Sequence, residues 1–329
     1  MSDPLNDAEI ALMTEIASQY YVEGETQEAI AKRLHISRIK VGRLLKKAHS
    51  VGIVDVRVRH HPSVSGDLEA SLVQKFGISR ALIAPDFSDA QSQRHAVAGL
   101  VADYLTRRLT DSMIVAVGMG RNVGAVADNV FTQQACEASF VSAIGGSLRA
   151  GEYMNPDHIC RRLAAKFGGE SETLYAPALV QDQAVRQALQ ENATVKQTLD
   201  RARRADLALV GVGDMSEDSN MVRMGWFSPQ EIAAARLAGT VGDVMGYDFI
   251  DIHGRESQAA MRGRVIGLDI HDLSRIPDVV AIASENTKAS GILGALRTGV
   301  IDTLATSTTN AMTVLSLAGA TEGRGDRET

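Results

Sequence analysis

Apolar residues recur at helical spacing near the start of the chain and in short, almost continuous runs further on, and the two patterns predict two kinds of unit. Leu12, Ile16 and Tyr20 fall at four-residue steps, placing one apolar stripe on a helix from about Asn6 to Tyr21. Gly24 ends it. Thr26 is suited to cap a short second helix, "QEAIAKRL", with Ala29, Ile30 and Leu34 facing inward and Ala31 small where the next helix approaches. The link "HIS" leads to Ser37, the cap of a third helix that buries Val41, Leu44, Leu45 and Ala48. Two short helices joined by so tight a turn cross steeply, the helix-turn-helix arrangement. The alternating run "IVDVRVRH" then reads as a strand or wing with Arg57 and Arg59 on one face.

Beyond "RHHPSVSGD", a hinge by its His, Pro, Ser and Gly content, helical and strand-like runs alternate. "DLEASLVQKFG", "QRHAVAGLVADYLTRRL", "NVGAVADNV", "PDHICRRLAAKFG", "PQEIAAARLAG" and "TKASGILGALRTG" read as helices. "SMIVAVG", "ASFVSAIGG", "ADLALVGVG", "YDFIDIHG", "RVIGLDI", "PDVVAIAS" and "IDTLATS" read as strands. Strands this apolar, separated by helices, predict a mainly parallel α/β sheet covered on both faces. The division expected is a helix-turn-helix domain over 1–58, a linker over 59–66, an α/β domain over 67–319 and a loose polar tail over 320–329. His60 and His61 belong to the linker, since adjacent residues in an extended chain point opposite ways and make a poor metal pair.

Ligands of open α/β sheets sit beyond the C-terminal strand ends, so the residues after each strand are the candidate site. "VAVGMGRNVGAV" offers Gly118, Gly120, Arg121 and Asn122 between a strand and a helix start, a turn suited to a phosphate or a sugar hydroxyl. Its GxGxxxG spacing and the absence of an acid closing the next strand exclude a dinucleotide fingerprint. Gly145 and Gly146 in "AIGGS", Asp214 in "GVGD", Asp243 and Asp251 in "GTVGDVMGYDFID", and Lys288 in "SENTKASGILGAL" complete a ring of glycine turns, acids and one lysine that suits a polyhydroxylated ligand. Trp226 fits either that cavity or the core.

Charge sharpens the reading of the first unit. The chain is acidic, with a net charge of -6, yet residues 32–59 hold nine Lys or Arg against Asp55 alone, a local +8 that leaves -14 elsewhere. One basic segment on an acidic body points to a polyanion partner for that segment. On the third helix Arg38, Ile39, Lys40, Gly42 and Arg43 face away from the predicted core, near the end that enters the major groove in this geometry. Lys46 and Lys47, a turn further on, suit phosphates; Thr26, Gln27 and Ser37 at the helix starts complete the DNA-contact set. With no apolar stretch long enough to span a bilayer and an acidic N-terminus, a cytoplasmic protein is expected, without a membrane partner. Cys136 and Cys160 lack zinc or disulfide spacing, so no metal and no cofactor is predicted.

"TQEAIAKRLHISRIKVGRLLKKAHSVGIVDVRV", "AVGMGRNVGAVADNV", "AIGGS", "LYAPALV", "ADLALVGVG", "GTVGDVMGYDFID" and "HDLSRIPDVVAIASENTKASGILGALRTGVID", in this order, resemble the SorC family of bacterial sugar-responsive transcription regulators, from about Ala8 to Leu317. The resemblance implies a winged helix-turn-helix domain and a Rossmann-like effector domain of the sugar-phosphate isomerase (NagB-like) type. It also implies homodimers or homotetramers, operator DNA as partner, and a sugar, sugar phosphate or polyol as effector. On this sequence the family's ligand turn falls on Gly118, Gly120, Arg121 and Asn122, its acidic position on Asp243 and its lysine on Lys288. Asn122 stands where a hydroxyl residue is usual, and Met119 where an aromatic is frequent. An amide suits a sugar hydroxyl better than a phosphate, which favours a free polyol such as erythritol. "RIKVG" replaces the usual proline and serine of the third helix, so the operator is not implied.

The function expected is a sensor-repressor, with activation also open to it, and two other functions compete with that reading. A sugar-phosphate isomerase with an appended DNA-binding module shares the fold, and its base would be Asp243 or Asp214, though no catalytic pair stands at a telling spacing. An adaptor would use the helical N-terminus to dock on protein.

Overall fold

A computed structural model of the chain describes residues 7–54, 65–132 and 134–325. They fall into two compact units, Met1–His61 and Pro62–Thr329.

In the first unit, helix α1 (Asp7–Ala17) widens into a π turn over Ser18–Val22, and Gly24 (φ 73°) reverses the chain. Helices α2 (Gln27–Arg33) and α3 (Arg38–Ser50) follow. Thr26 and Ser37 cap them as their positions predict, Oγ1 of Thr26 accepting from the Ala29 N–H and Oγ of Ser37 from the Lys40 N–H, each at 3.2 Å. Between them His35 takes a left-handed turn (φ 52°). Met13, Ile16, Ile30, Ala31, Val41, Leu44, Leu45 and Ala48 form the core. Ala29, expected inside, is exposed, because α2 turns only Ile30 and Ala31 fully inward. Arg57, Arg59 and most of the expected wing and linker, including His60 and His61, lie outside the described residues.

The second unit is built on parallel strands in the order β1-β9-β8-β5-β2-β3-β4. These are β1 (Arg80–Ala84), β2 (Ile114–Val117), β3 (Ser139–Ser142), β4 (Glu170–Glu172), β5 (Leu207–Asp214), β8 (Val279–Ala283) and β9 (Thr303–Ser307). Successive side chains go to opposite faces. Val115 and Val117, Leu207 and Leu209, and Val280 and Ile282 pack into one core, whereas Ala116, Ala208, Val210, Ala281 and Ala283 enter the other. Burial on both sides explains the uninterrupted apolar runs. The end of β5 also pairs antiparallel with β6 (Thr240–Val244), which forms a hairpin with β7 (Asp248–Asp251).

"YDFIDIHG" is therefore a hairpin strand, while "RVIGLDI" makes only isolated bridges, Val265 with Leu179 and Gly267 with Ile144. The last helix, Thr308–Gly325, runs well into the segment expected to be a loose tail from residue 320. From β2 the sheet continues to β3 on one side and to β5 on the other, so the strand order reverses between β2 and β5.

Candidate effector cavity and DNA-binding helix

A cavity of about 230 Å³ opens at that reversal, beyond the C-terminal ends of β2, β5 and β8. The turn after β2 supplies Gly120, Arg121 and Asn122; β5 supplies Gly211, Gly213 and Asp214; β6 supplies Asp243; the turn after β8 supplies Glu285, Thr287 and Lys288. Residues 215–226 close the remaining side, with Ser216, Ser219, Arg223 and Trp226 among the lining.

Backbone geometry accounts for two of the glycines. The Gly118 N–H donates to the Leu209 carbonyl at 2.8 Å, and a Cβ on Gly118 would stand 2.9 Å from that oxygen. Gly118 therefore lets β2 meet β5 but does not line the cavity. Gly120 has φ 112°, a conformation open to glycine, and starts helix Arg121–Asn129 at the cavity wall.

Two carboxylates dominate the electrostatics. Asp243 is 1 % exposed; its Oδ1 accepts from the Gly246 N–H at 2.6 Å, and its Oδ2 has no partner among the described residues. Burial pushes its carboxyl up to about 7, against the pull of the Lys288 charge and the Gly246 N–H. Glu285 behaves in the opposite way. Burial alone would raise it, but the Lys288 ammonium and the Asn122 amide outweigh that and hold it well below the usual carboxylate range. Its Oε2 accepts from Lys288 Nζ and from Asn122 Nδ2, both at 2.9 Å, while Arg94 Nη2 lies 3.3 Å and Arg121 Nη2 4.0 Å from Oε1.

Gly120, Arg121, Asn122, Asp243 and Lys288 thus converge as their strand-end positions predict, with Asp214 and Trp226 beside them. Four candidates do not: Gly118, at the β2–β5 contact, and Gly145, Gly146 and Asp251. Gly145 is packed on the Ala176–Pro177 backbone, 2.6 Å from where its Cβ would be, and the Gly146 N–H bonds the Ala176 carbonyl. The Asp251 carboxylate turns back on its own loop, accepting from the His253 and Arg255 N–H groups at 2.9 Å and from Arg255 Nε at 2.7 Å. Glu285, Ser219 and Arg223 went unrecognised, although Glu285 sits in the same "SENTK" run as Lys288.

In the first unit, Arg38, Ile39, Lys40, Arg43 and Lys46 are all exposed on α3, and Ile39 is 85 % exposed. No carboxylate among the described residues pairs with the four cations of that set. Lys47 differs, its Nζ lying 2.6 Å from Glu9 on α1. Gln27 packs against the helix, its Oε1 3.3 Å from where a Cβ on Gly42 would be.

The family described as "Putative sugar-binding domain" matches residues 60–316, more than half of the chain. The chain belongs to this sugar-binding domain family. The chain is 29% identical over 297 residues to the erythritol catabolism regulatory protein EryD of Brucella abortus (strain 2308), covering 89% of this chain and 92% of that one. It is 27% identical to the sorbitol operon regulator of Klebsiella pneumoniae over 315 residues, 94% and 99% of the two chains. The full-length crystal structure of that regulator, SorC, superposes with a TM-score of 0.72 over 95% of this chain and 100% of its own. The solved "Putative Sugar-Binding Domain" of a transcriptional repressor from Vibrio fischeri is 54% identical and covers 78% of this chain and 100% of its own, with a TM-score of 0.73. These relatives of the sugar-binding family are transcriptional regulators by name, not enzymes.

Proposed function

We propose that the chain is a DNA-binding transcription regulator, a repressor of a carbohydrate or polyol catabolic operon, whose operator affinity is set by a sugar, sugar phosphate or polyol in the cavity beyond β2, β5 and β8. The observation that carries this reading is the row of exposed cations Arg38, Lys40 and Arg43 on the second helix of a helix-turn-helix, in a chain whose larger unit belongs to a sugar-binding family. Arg and Lys on this face reach guanine edges in the major groove, and Lys46 reaches phosphate. The names of the relatives, from erythritol catabolism and a sorbitol operon, support an operon of the same chemistry. A homodimer or homotetramer would present two such helices to two half-sites.

The effector need only bind the two DNA-affinity states unequally; a hundredfold difference is worth about 2.7 kcal/mol of coupling. An operator gel shift with sugars, polyols and their phosphates tests both halves. At least one compound is expected to change DNA affinity, and a set that leaves it untouched removes the sensor. Arg43→Ala should weaken operator binding by about 1–3 kcal/mol, and an unchanged affinity removes α3 as the reader. Among the described residues no helix is long and apolar enough to cross a membrane.

A further inference from the structure

We infer that the cavity selects an uncharged polyhydroxylated ligand over its phosphate ester, and that Glu285 enforces the choice. The inference rests on the reading of this cavity as the effector site. A phosphate at the β2 turn would draw on the start of helix Arg121–Asn129 and on the nearby Arg121, Asn122 and Lys288. Glu285 already holds two of those side chains, Lys288 and Asn122 donating to its Oε2 at 2.9 Å, while Arg121 lies 4.0 Å from Oε1, too far for a hydrogen bond, and its buried Nε has no partner among the described residues. Asn122 is locked from its other end too, its Oδ1 accepting from Ser284 Oγ at 2.6 Å.

A dianion could recruit these donors only by stripping Glu285 Oε2 of both its partners and leaving the buried carboxylate beside it with the Arg94 contact at Oε1. Nor does the opposite wall help, since Arg223 donates to Asp218 through Nε and Nη2 at 2.9 and 2.5 Å. The lining cations Arg121, Arg223 and Lys288 therefore face the carboxylates of Asp214, Asp218, Asp243 and Glu285, with no positive surplus for an anion.

Neutral hydroxyls meet a different surface. Asp243 Oδ2 and Ser219 Oγ are buried side-chain oxygens on the lining with no partner among the described residues, and both accept hydroxyl hydrogen bonds. The volume of about 230 Å³ suits a small ligand.

The test is calorimetric titration of the full chain with a tetritol, a pentitol and a hexitol, their terminal monophosphates, inorganic phosphate and an amino sugar, repeated with Glu285→Gln. In the wild type a neutral polyol should bind at least about tenfold more tightly than its phosphate, and Glu285→Gln should close that gap about tenfold through a gain for the phosphate. A phosphate ester or the amino sugar outranking its neutral counterpart overturns the proposal while the effector site stands. An unchanged ratio in Glu285→Gln overturns the role of Glu285. Failure of the whole panel to bind removes the effector-site reading itself. The wild-type ranking decides the ligand class even if the variant folds poorly.

Discussion

Replacing Asp243 by Asn isolates the energetic consequence of burying one acid in the cavity wall. Asp243 is seated against Gly213, where any Cβ would overlap its Oδ2, and a single N–H, that of Gly246, supports the other oxygen. Burial is the main cause that lifts its carboxyl from the ordinary 3.8 to about 7. Because the folded value lies above the unfolded one, the native state holds this proton more tightly. The stability that the group contributes is complete below the unfolded value and is lost as pH rises through the folded one. Integrated from about pH 5 to about pH 8, the loss at this group is about 3 kcal/mol.

The amide introduced by Asp243→Asn does not titrate, so variant minus wild-type stability should move by about 3 kcal/mol in favour of the variant over that interval. Other groups cancel in the difference, apart from the part of Asp248, itself pushed up to about 7 by burial, that responds to its neighbour. The assay is urea unfolding followed by tryptophan fluorescence. Trp226 is the one tryptophan of the chain and is 4 % exposed in the cavity wall, so the signal reports the larger unit alone. A difference between variant and wild type that is the same at both pH values would refute the buried, proton-binding Asp243.

Three further outcomes follow from local geometry. Thr26→Ala and Ser37→Ala should each cost about 1 kcal/mol of local stability, read as faster hydrogen exchange at the Ala29 and Lys40 amides; unchanged protection would remove the caps. Gly242→Ala would place a Cβ 2.6 Å from Gly291 Cα and 2.7 Å from the Gly213 carbonyl, backbone atoms that cannot swing aside, and should lower the Trp226 unfolding midpoint by about 1–3 kcal/mol of stability. Lys46→Ala should reduce the slope of log affinity against log salt for DNA by about 1, whereas Lys47→Ala, whose ammonium already sits on Glu9, should change it little; equal slopes would undo that distinction.

The helix-turn-helix was legible because everything that specifies it is local. Caps act three residues away, the core repeats at helical spacing, and the outer cations are whatever that spacing leaves over. Ala29 failed because an alanine on a two-turn helix carries too little apolar surface to say which way it faces. The central strands were equally clear, being buried on both faces. Three strands went unread: β4 is "ESE" at one sheet edge, β1 is the short run "RALIA" at the other, and β6 is a glycine-bearing hairpin arm whose partner is chosen by the end of β5. Gly145, Gly146 and Asp251 look like cavity residues because glycine turns and short acids end strands for packing as often as for binding, and a strand end alone does not separate the two.

Asn122 shows what sequence spacing cannot supply. By its place in the turn its amide is suited to a sugar hydroxyl, and the sequence-based preference for an uncharged ligand rests on that. The side chain is instead buried and spent, one end on Ser284 and the other on Glu285, 163 residues further along the chain. The inferred preference for an uncharged ligand rests on different grounds. Asn122 acts by positioning a carboxylate among the cations of the cavity, and it is that carboxylate, ionised and already satisfied, which makes a second anion unwelcome. Charge placed by tertiary contact thus decides a property that the identity of the residue in the turn only hinted at.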